Sequence, residues 1–251
     1  MGHVLVLAID TSSPSGSLAV LRDEKVVGVV STTTSEIYSS RMFRELEFLI
    51  GELSLRMEEF ELFAVAAGPG SFTGLRVGLT AVKGWAEVYR KPIAAVSALE
   101  AVAVQARSRR ALVVPVLDAR RGQLYFGLYR RAEDGELGDA RLAIDGEEYV
   151  MTPAEFFEAL HRRVRGAEFS IVTPEAKLFS NPVSPELFSN AVSQNEVANL
   201  NARIELASSV LAPFIGQLGF RGAQRGELAD PLTLDANYVR RTDAELHWKE
   251  S

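Results

Sequence analysis

The fold is decided by residues 5–21, which read LVLAIDTSSPSGSLAVL. Residues 4–9 form a continuous apolar run of the kind found in a strand that is buried on both faces. The polar residues at 10–16 favour a tight turn, and residues 17–21 resume a strand. A second polar turn and the apolar residues at 26–32 extend this hairpin, so the chain is predicted to open with a three-stranded meander.

The same pattern recurs about a hundred residues further along. Residues 112–129 can be aligned with residues 5–21, so that Asp118 corresponds to Asp10 and Gly122 to Gly16. A third strand is expected at about residues 137–144. Because a repeated unit indicates duplication, we expect an α/β fold of two related lobes that each open with a meander. The expected lobes are residues 1–108 and a degenerate lobe at 109–251, whose tail packs back on the first.

The composition is that of an acidic globular protein. The 251 residues are 47% hydrophobic and 24% charged, and the formal net charge is −6. This is enough apolar material to form a core. The acidic balance disfavours a free-standing nucleic-acid binder, because affinity for phosphate backbones depends on clustered Lys and Arg. Any RNA contact is therefore expected to require a partner.

Cysteine content and hydropathy indicate the cellular compartment in which the protein is expected. The sequence has no Cys, which excludes disulfides and Cys-ligated metal sites and agrees with a reducing cytosol. The first ten residues lack a basic segment and a small-residue cleavage site, so no secretion signal is expected. No run approaches the roughly 18 apolar residues of a membrane-spanning helix. We expect a cytoplasmic protein that does not contact the membrane.

A glycine-rich loop, GPGSFTG at residues 68–74, joins a predicted strand at 62–67 to a helix that is predicted to end near Tyr89. Glycines permit close backbone approach, and the helix N-terminus behind them favours a phosphate or carboxylate. The loop is not a P-loop, because no Gly-Lys-Ser/Thr follows, and its glycine spacing differs from the dinucleotide-binding motif. The alternative is a tight turn that lets the helix pack closely on the sheet, which the spacing slightly favours.

Two predicted helices carry apolar surfaces. In the helix at 36–53, apolar side chains recur on one face and Phe48 lies opposite. In the helix after the glycine loop, a stripe of small residues is followed by Trp85, and the only charges from Val77 to Val88 are Lys83 and Glu87. Core packing is the default explanation for such surfaces. A helix that is apolar on most of its circumference is buried on more than one side, however, and a subunit interface supplies a second side.

The residues expected at this partner interface come from both helices. They are Met42, Phe43, Leu46, Phe48, Ile50, Gly74, Gly78, Ala81, Val82 and Trp85.

Asp10 and Asp118 each end a predicted strand and enter a turn. In phosphotransfer folds such a carboxylate positions Mg²⁺ or activates water. The alternative is an acceptor that shapes the turn, and it is at least as well supported, because no second carboxylate stands at ligand spacing. The three histidines, at positions 3, 161 and 247, form no His-x-x-x-His pair, so no metal site is expected.

The C-terminal half is less regular. Thr152 as N-cap, Pro153 and Glu155 predict a helix that runs to about Val164. Residues 166–185 have a loop-like composition, and helical spacing at 195–211 predicts another helix. The tail at 230–241 is expected to be ordered and extended, because its Leu, Tyr and Val side chains would otherwise be exposed.

Four segments together resemble the TsaB (YeaZ) family. They are LAIDTSS at 7–13, AGPGSFTGLRVG at 67–78, DARRGQLY at 118–125 and YVRRTDAE at 238–245. The loop motif at 67–78 is highly specific, whereas the Asp-Thr-Ser turn alone is not. The resemblance covers residues 4–130 well and the last twenty residues fairly.

The resemblance implies an actin-like/Hsp70-like ATPase (ASKHA) fold and a non-catalytic subunit of tRNA threonylcarbamoyladenosine (t6A) biosynthesis. Such a subunit stabilises and activates the TsaD transferase, pairs with TsaD or with itself through the helices at about 36–53 and 73–89, and is joined by TsaE. It contacts tRNA through the complex alone. The alternative is a small-molecule kinase or hydrolase of the same fold that uses Mg-ATP with Asp10 and Asp118.

The resemblance also bears on nucleotide binding. Residues 169–175, FSIVTPE, lack the paired glycines of an adenosine-clamping turn, so we expect no tightly bound cofactor, and ATP or ADP at the complex interface alone. The residues expected at such phosphate-like or interface nucleotide loops are Asp10, Thr11, Ser12, Gly68, Gly70, Ser71, Thr73, Gly74, Arg76 and Asp118.

Overall fold

The structure is a computed structural model that describes residues 2–34, 38–131, 142–175, 178 and 200–239. The chain divides into two compact units. The first comprises Met1–Ala101 and Ser209–Tyr238, and the second comprises Val102–Ser208 and Val239–Ser251. Residues 209–238 thus group with the first unit, whereas the sequence had placed them in the second lobe with the tail alone packing back.

The first unit is built on a five-stranded sheet. Its strands are β1 (Leu5–Asp10), β2 (Ser17–Arg22), β3 (Lys25–Ser31), β4 (Leu62–Gly68) and β5 (Ile93–Ser97). The order is β3-β2-β1-β4-β5, in which β1, β2 and β3 are antiparallel neighbours and β4 and β5 continue parallel to β1. All six residues of β1 are buried, as the continuous apolar run predicts for a central strand. The predicted opening meander is confirmed.

The second unit repeats this arrangement. Its strands are β6 (Leu112–Arg120), β7 (Gln123–Phe126), β8 (Tyr129–Arg131), β9 (Leu142–Ile144), β10 (Tyr149–Met151), β11 (Phe169–Thr173) and β12 (Ala202–Leu206). The principal order is β10-β7-β6-β11-β12, with β8 paired to β6 and β9. The antiparallel pairing of β10, β7 and β6 and the parallel pairing of β11 and β12 match the first sheet. This shared topology supports the predicted duplication.

The helices alternate with groups of strands along the chain. They are α1 (Tyr38–Glu52), α2 (Phe72–Tyr89), α3 (Ala98–Ala103), α4 (Pro153–Val164) and α5 (Ala212–Gln224), with a 3₁₀ turn at Met57–Glu59. The predicted start of α4 is confirmed, because Thr152 Oγ1 accepts from the Glu155 amide and Glu155 Oε2 accepts from the Thr152 amide. The first core lies between the sheet and helices α1 and α2, and the second packs Phe126, Phe156 and Phe169 around α4.

Three expectations for the second half were wrong. The predicted helix at 195–211 is contradicted at residues 202–206, which form β12 and pair with β11 in parallel, with Ile204 opposite Ile171. Its first residues, 195–199, lie outside the described residues. The loop-like stretch after 166 contains β11, every residue of which is buried. The third meander strand is β10 rather than 137–144; of that range, β9 pairs with β8 and residues 137–141 lie outside the described residues.

Helix α5 was not predicted from the sequence. It packs on the first sheet through glycines, since a Cβ at Gly219 would lie 2.8 Å from the Ala64 Cβ and one at Gly216 would lie 3.1 Å from the Ala8 Cβ. Glycine lowers helix propensity, which hid this helix in the sequence pattern. Across the part of the chain that the structure describes, no helix has both the length and the apolar character needed to cross a bilayer.

Candidate functional site

Asp10 shapes the turn that follows β1. Its side chain is fully buried, and Oδ1 accepts hydrogen bonds from the Ser12 amide (2.8 Å) and the Ser12 hydroxyl (2.6 Å). Oδ2 has no hydrogen-bond partner among the described residues. Burial raises the pKa of Asp10 to about 6, although the two bonds from Ser12 oppose this rise. The turn-shaping interpretation of Asp10 is therefore supported by its contacts.

Asp118 holds the equivalent position in the second unit. Its Oδ1 accepts from the Arg120 amide at 2.7 Å, two residues on, as Asp10 Oδ1 does from Ser12. Arg120 Nη1 also lies 3.3 Å from Asp118 Oδ2. Within the described ranges, no three His, Asp or Glu side chains lie close enough together to hold a metal ion. A role of either aspartate with Mg²⁺ or water stays a prediction.

The glycine loop and the first turn of α2 pack against the Asp10 turn. The Ser71 amide donates to the Ser12 carbonyl oxygen at 2.7 Å, and Thr11 Oγ1 donates to the Gly74 carbonyl oxygen at 2.7 Å. A Cβ at Gly70 or Gly74 would overlap the backbone carbonyl of Ser12 or Thr11. In the structure, the glycine loop therefore forms a tight turn that lets α2 pack closely, which was the alternative to an anion-binding loop.

The small-residue stripe on α2 faces the molecule's own turn. Gly78 is buried, and a Cβ there would lie 2.5 Å from Thr11 Oγ1. Gly74 is also buried. The expectation that Gly74 and Gly78 contact a partner is corrected, because the space beside them is already filled by Thr11.

The C-terminal segment of the first unit closes over the glycine loop. Gly68 adopts a φ of +121°, a conformation that disfavours side chains, and the Asn237 amide donates to the adjacent Ala67 carbonyl oxygen at 2.6 Å. Arg76 Nε donates to Tyr238 Oη at 3.0 Å, and the Arg76 guanidinium lies 4.0 Å from the Phe72 ring centroid. Arg76, expected beside a nucleotide, is thus held by the tail. The predicted extended tail is contradicted at residues 231–233, which form a turn and leave Leu232 90% exposed, and residues 240–241 lie outside the described residues.

Part of the expected partner interface lies in the core. Met42, Leu46 and Val82 are 1%, 5% and 0% exposed and belong to the first hydrophobic cluster. Side chains buried to this extent contact their own sheet and cannot contact a second protein. Their assignment to the interface is therefore corrected, while Ile50 and Ala81 are half-buried at its edge.

A different stripe of α2 reaches the surface. Val77, Ala81, Gly84 and Val88 recur at i, i+4, i+7 and i+11, so they share one face of the helix, and none is charged. Val88 is 71% exposed, and a Cβ at Gly84 would meet no atom within 4 Å. The sequence signal for this stripe was the scarcity of charge on α2, but spacing alone did not show which small residues face outward.

Aromatic side chains of α1 border this stripe. Phe43 is 54% exposed and meets the half-buried Trp85 edge to face at 6.2 Å, and Trp85 also contacts Phe63 of the core. Phe48 is 61% exposed, but its five-residue offset places it roughly 140° around the helix from Phe43. We call the outward stripe together with Phe43 and Trp85 the outer face.

This chain is similar to proteins of tRNA threonylcarbamoyladenosine biosynthesis over up to 98% of its length. Residues 19–198 match the family described as TsaD, tRNA N6-adenosine threonylcarbamoyltransferase. The tRNA threonylcarbamoyladenosine biosynthesis protein TsaB of Bacillus subtilis (strain 168) is 30% identical over 98% of this chain and 98% of that protein. TsaB of Escherichia coli (strain K12) is 30% identical over 52% of this chain and 57% of that protein.

A solved structure has the same fold. YeaZ from Pseudomonas aeruginosa superposes with a TM-score of 0.68 and 22% identity, covering 94% of this chain and 99% of that one. The expected actin-like/Hsp70-like ATPase fold is confirmed by this likeness together with the repeated sheet topology.

Proposed function

The chain belongs to the TsaB family, and we propose that it is the non-catalytic subunit that stabilises and activates the TsaD transferase in tRNA threonylcarbamoyladenosine biosynthesis. The observation that carries this proposal is the outer face, an uncharged surface on two adjacent helices of the first unit. Exposed apolar patches bordered by polar residues mark protein interfaces in proteins that otherwise cover their apolar surface.

The side chains that could serve as metal ligands support a non-catalytic role. The chain matches the transferase family over residues 19–198. The resemblance implies that the catalytic subunit TsaD carries a pair of metal-binding histidines, whereas the three histidines of this chain, at positions 3, 161 and 247, are far apart in the sequence. Similarity of fold without the metal-binding side chains supports an accessory subunit.

The fold also supports TsaD as the occupant of the outer face. A partner with the same fold presents the equivalent pair of helices, so the two chains can meet about a pseudo-twofold axis, as in isologous dimers. The small side chains at Ala81 and Gly84 allow the backbone of a facing helix to approach closely, while Phe43 and Val88 supply apolar area.

The family resemblance suggests the remaining partners. A homodimer would use the same face, so pairing with TsaD and self-pairing would exclude each other. We place TsaE and tRNA on the assembled pair and any bound ATP or ADP at its interface, and we propose that the whole assembly is cytoplasmic.

The test is a matched pair of substitutions at Gly84, an exposed position with open space around it. Gly84→Arg places a long cation on the outer face, and Gly84→Ala adds a methyl group that improves helix propensity. Each variant is titrated with TsaD by calorimetry, and the pair is assayed for modification of tRNA. We expect Gly84→Arg to weaken pairing by at least about tenfold and to lower modification in parallel, as for a residue at an interface centre.

The control separates folding from pairing. Gly84→Ala should pair like the wild type, and both variants should melt at or above the wild-type temperature. If Gly84→Arg pairs normally, the outer face is not the TsaD interface. If pairing is lost but modification persists, activation of TsaD is disproved instead.

A further inference from the structure

Strand β12 forms an open edge of the second sheet. It pairs with β11 on one side, and the described residues supply no strand on its other side. The register between the two strands is regular from Ala202 to Leu206, without a bulge that would turn the edge away. An edge of this kind presents backbone N–H and C=O groups to which a further strand can bond. β12 is therefore a candidate for the addition of a strand.

The backbone groups that point outward belong to alternate residues of β12. The Ala207 amide donates to the Thr173 carbonyl oxygen at 2.9 Å, which directs this amide towards β11. Successive residues of a strand direct their N–H and C=O groups to opposite sides, so Ala202, Ile204 and Leu206 direct theirs away from β11. A strand that is added at this edge therefore bonds to these residues.

The side chains of the same residues form an apolar row. Ala202, Ile204 and Leu206 lie on one face of the strand, since successive side chains alternate between faces. Ile204 is 37% exposed and Leu206 is 57% exposed, although every residue of the neighbouring strand β11 is buried. Apolar side chains at an open edge gain cross-strand contacts when a strand with a matching row lies beside them.

The two charged residues of β12 define which strand matches it. Arg203 is exposed, whereas Glu205 is 6% exposed and accepts hydrogen bonds from the Ser170 hydroxyl and from the amides of Arg107 and Ser108. These donors are neutral, and neither Arg203 nor Glu205 has an ion-pair partner among the described residues. A complementary strand therefore places a cation opposite Glu205 and a carboxylate opposite Arg203.

A second copy of β12 meets this requirement. In an antiparallel pair centred on Ile204, Arg203 of each chain stands opposite Glu205 of the other, and Ala202 stands opposite Leu206. Every residue of the strand is paired in this register, and the outward backbone groups meet as hydrogen-bonded pairs. If the centre moves by one residue in either direction, Arg203 faces Arg203 or Glu205 faces Glu205, and like charges directly opposite are destabilising. The charges therefore favour one register.

We propose that this chain forms a symmetric dimer through antiparallel pairing of β12 with β12 of a second copy, centred on Ile204. The contact joins the second units and uses no residue of the outer face. It is therefore distinct from pairing with TsaD and from self-pairing through that face. A strand of 5 residues buries less area than a stable dimer requires, so the Kd is expected to be on the order of 100 µM.

The test uses single cysteines, because the chain contains none of its own. Ile204→Cys and the control Leu206→Cys are each oxidised in the full chain at a concentration near that Kd. In the proposed register the residues at 204 face each other at a Cα separation of about 5.5 Å, which permits a disulfide, whereas those at 206 are roughly 14 Å apart. We expect Ile204→Cys to form covalent dimer at least about tenfold faster, despite the greater exposure of position 206.

A further substitution in the Ile204→Cys chain tests the charge pairing. Arg203→Glu places two carboxylates opposite each other and should slow crosslinking at least about tenfold, whereas Arg203→Lys should change the rate less than about threefold. Lys25→Glu makes the same change of charge at an exposed position in the first unit, and it should change the rate less than about twofold. Melting temperatures equal to that of the Ile204→Cys chain show that the substitutions do not unfold it.

Two outcomes of the crosslinking would overturn the proposal. Equal rates at positions 204 and 206 would report random collision or a different register. Absence of crosslinking at both positions would show that the edge is closed in solution, for example by another segment of the same chain. Equal slowing by Arg203→Glu and Lys25→Glu would overturn the charge pairing that selects the register. None of these results depends on TsaD, so they are separable from the outcome of the Gly84→Arg test.

Discussion

The hydroxyl of Thr11 donates a buried hydrogen bond of 2.7 Å to the carbonyl oxygen of Gly74, 63 residues further along the chain. This bond fastens the first turn of α2 to the turn after β1. The same Oγ1 atom occupies the space where a side chain at Gly78 would begin. The inner side of α2 is therefore fitted to the molecule's own turn, whereas its outer side reaches the surface, where Val88 is 71% exposed.

The two sides of α2 should respond oppositely to the same substitution. Gly78→Ala is expected to lower the free energy of unfolding by about 1–3 kcal/mol, because the new Cβ would lie 2.5 Å from Thr11 Oγ1. Gly84→Ala should raise it by about 0.5–1 kcal/mol, because the position is open and alanine favours helix. Urea unfolding of the two variants measures both. Equal effects would contradict the assignment of inner and outer sides.

The buried carboxyl of Asp10 should make stability depend on pH. Its pKa is raised in the folded state from 3.8 to about 6, so the folded chain holds a proton that the unfolded chain releases. The free energy of unfolding should therefore fall as the pH rises through this interval, by about 3 kcal/mol, and stay level above it. Asp10→Asn removes this titration.

The measurement is the difference in unfolding free energy between Asp10→Asn and the wild type from about pH 4 to about pH 7. The variant should gain relative to the wild type as the pH rises, since the asparagine Oδ1 can still accept from Ser12. A difference that does not change with pH would show that the pKa of Asp10 is the same in the folded and unfolded chains.

The tail should depend on the ring of Tyr238 more than on its hydroxyl. The Tyr238 ring lies 5.1 Å from that of Phe72, whereas the bond from Arg76 is at the surface. Tyr238→Ala is expected to cost about 1–2 kcal/mol of stability, and Tyr238→Phe less than about 1 kcal/mol. Hydrogen exchange of the Asn237 amide, which bonds to Ala67, should quicken in the alanine variant. Unchanged exchange would mean that the tail is held elsewhere.

In the second unit, the ionised carboxylate of Glu205 is expected to stabilise the folded state. Burial raises its pKa, but hydrogen bonds from the Ser170 hydroxyl (2.7 Å) and the Arg107 amide (2.6 Å) outweigh burial, so the pKa lies below its ordinary value. Its contribution is present above the unfolded pKa and is lost as the pH falls through the folded pKa. Glu205→Gln should cost about 2–3 kcal/mol at neutral pH, because the amide cannot accept at both atoms.

Glu168→Gln is the matched control, because that side chain is 64% exposed and lies 3.7 Å from Arg110. It should cost less than about 0.5 kcal/mol. Urea unfolding at neutral pH compares the two glutamine variants, and similar costs would show that the buried contacts of Glu205 do not stabilise the unit.

Sequence patterns predicted the helices and strands that are determined by residues close together in the chain. The β1–β2 hairpin follows from an apolar run and a polar turn, and the start of α4 follows from the Thr152 and Glu155 side chains. The duplication was visible because Asp10 and Asp118 recur in the same setting, and the structure gives both the same acceptor role.

Sequence patterns did not predict the helices and strands that depend on contacts between residues far apart in the chain. Ile204 at helical spacing lies in a strand because β11 offers it a parallel neighbour. Helix α5 forms despite its glycines because Gly219 lets it approach Ala64 of the sheet. No window of sequence contains these contacts, since the residues that make them are far apart in the chain.

By itself, the sequence determined the α/β character, the two related units, the close fit of the glycine loop and the presence of an apolar surface on α1 and α2, because these depend on periodicity and turn chemistry. Tertiary structure alone decided that Gly78 points inward and Gly84 outward, and that Met42 is core and Phe43 is surface. The physical reason is that a helix pattern shows which residues share a face, whereas the rest of the fold determines what that face meets.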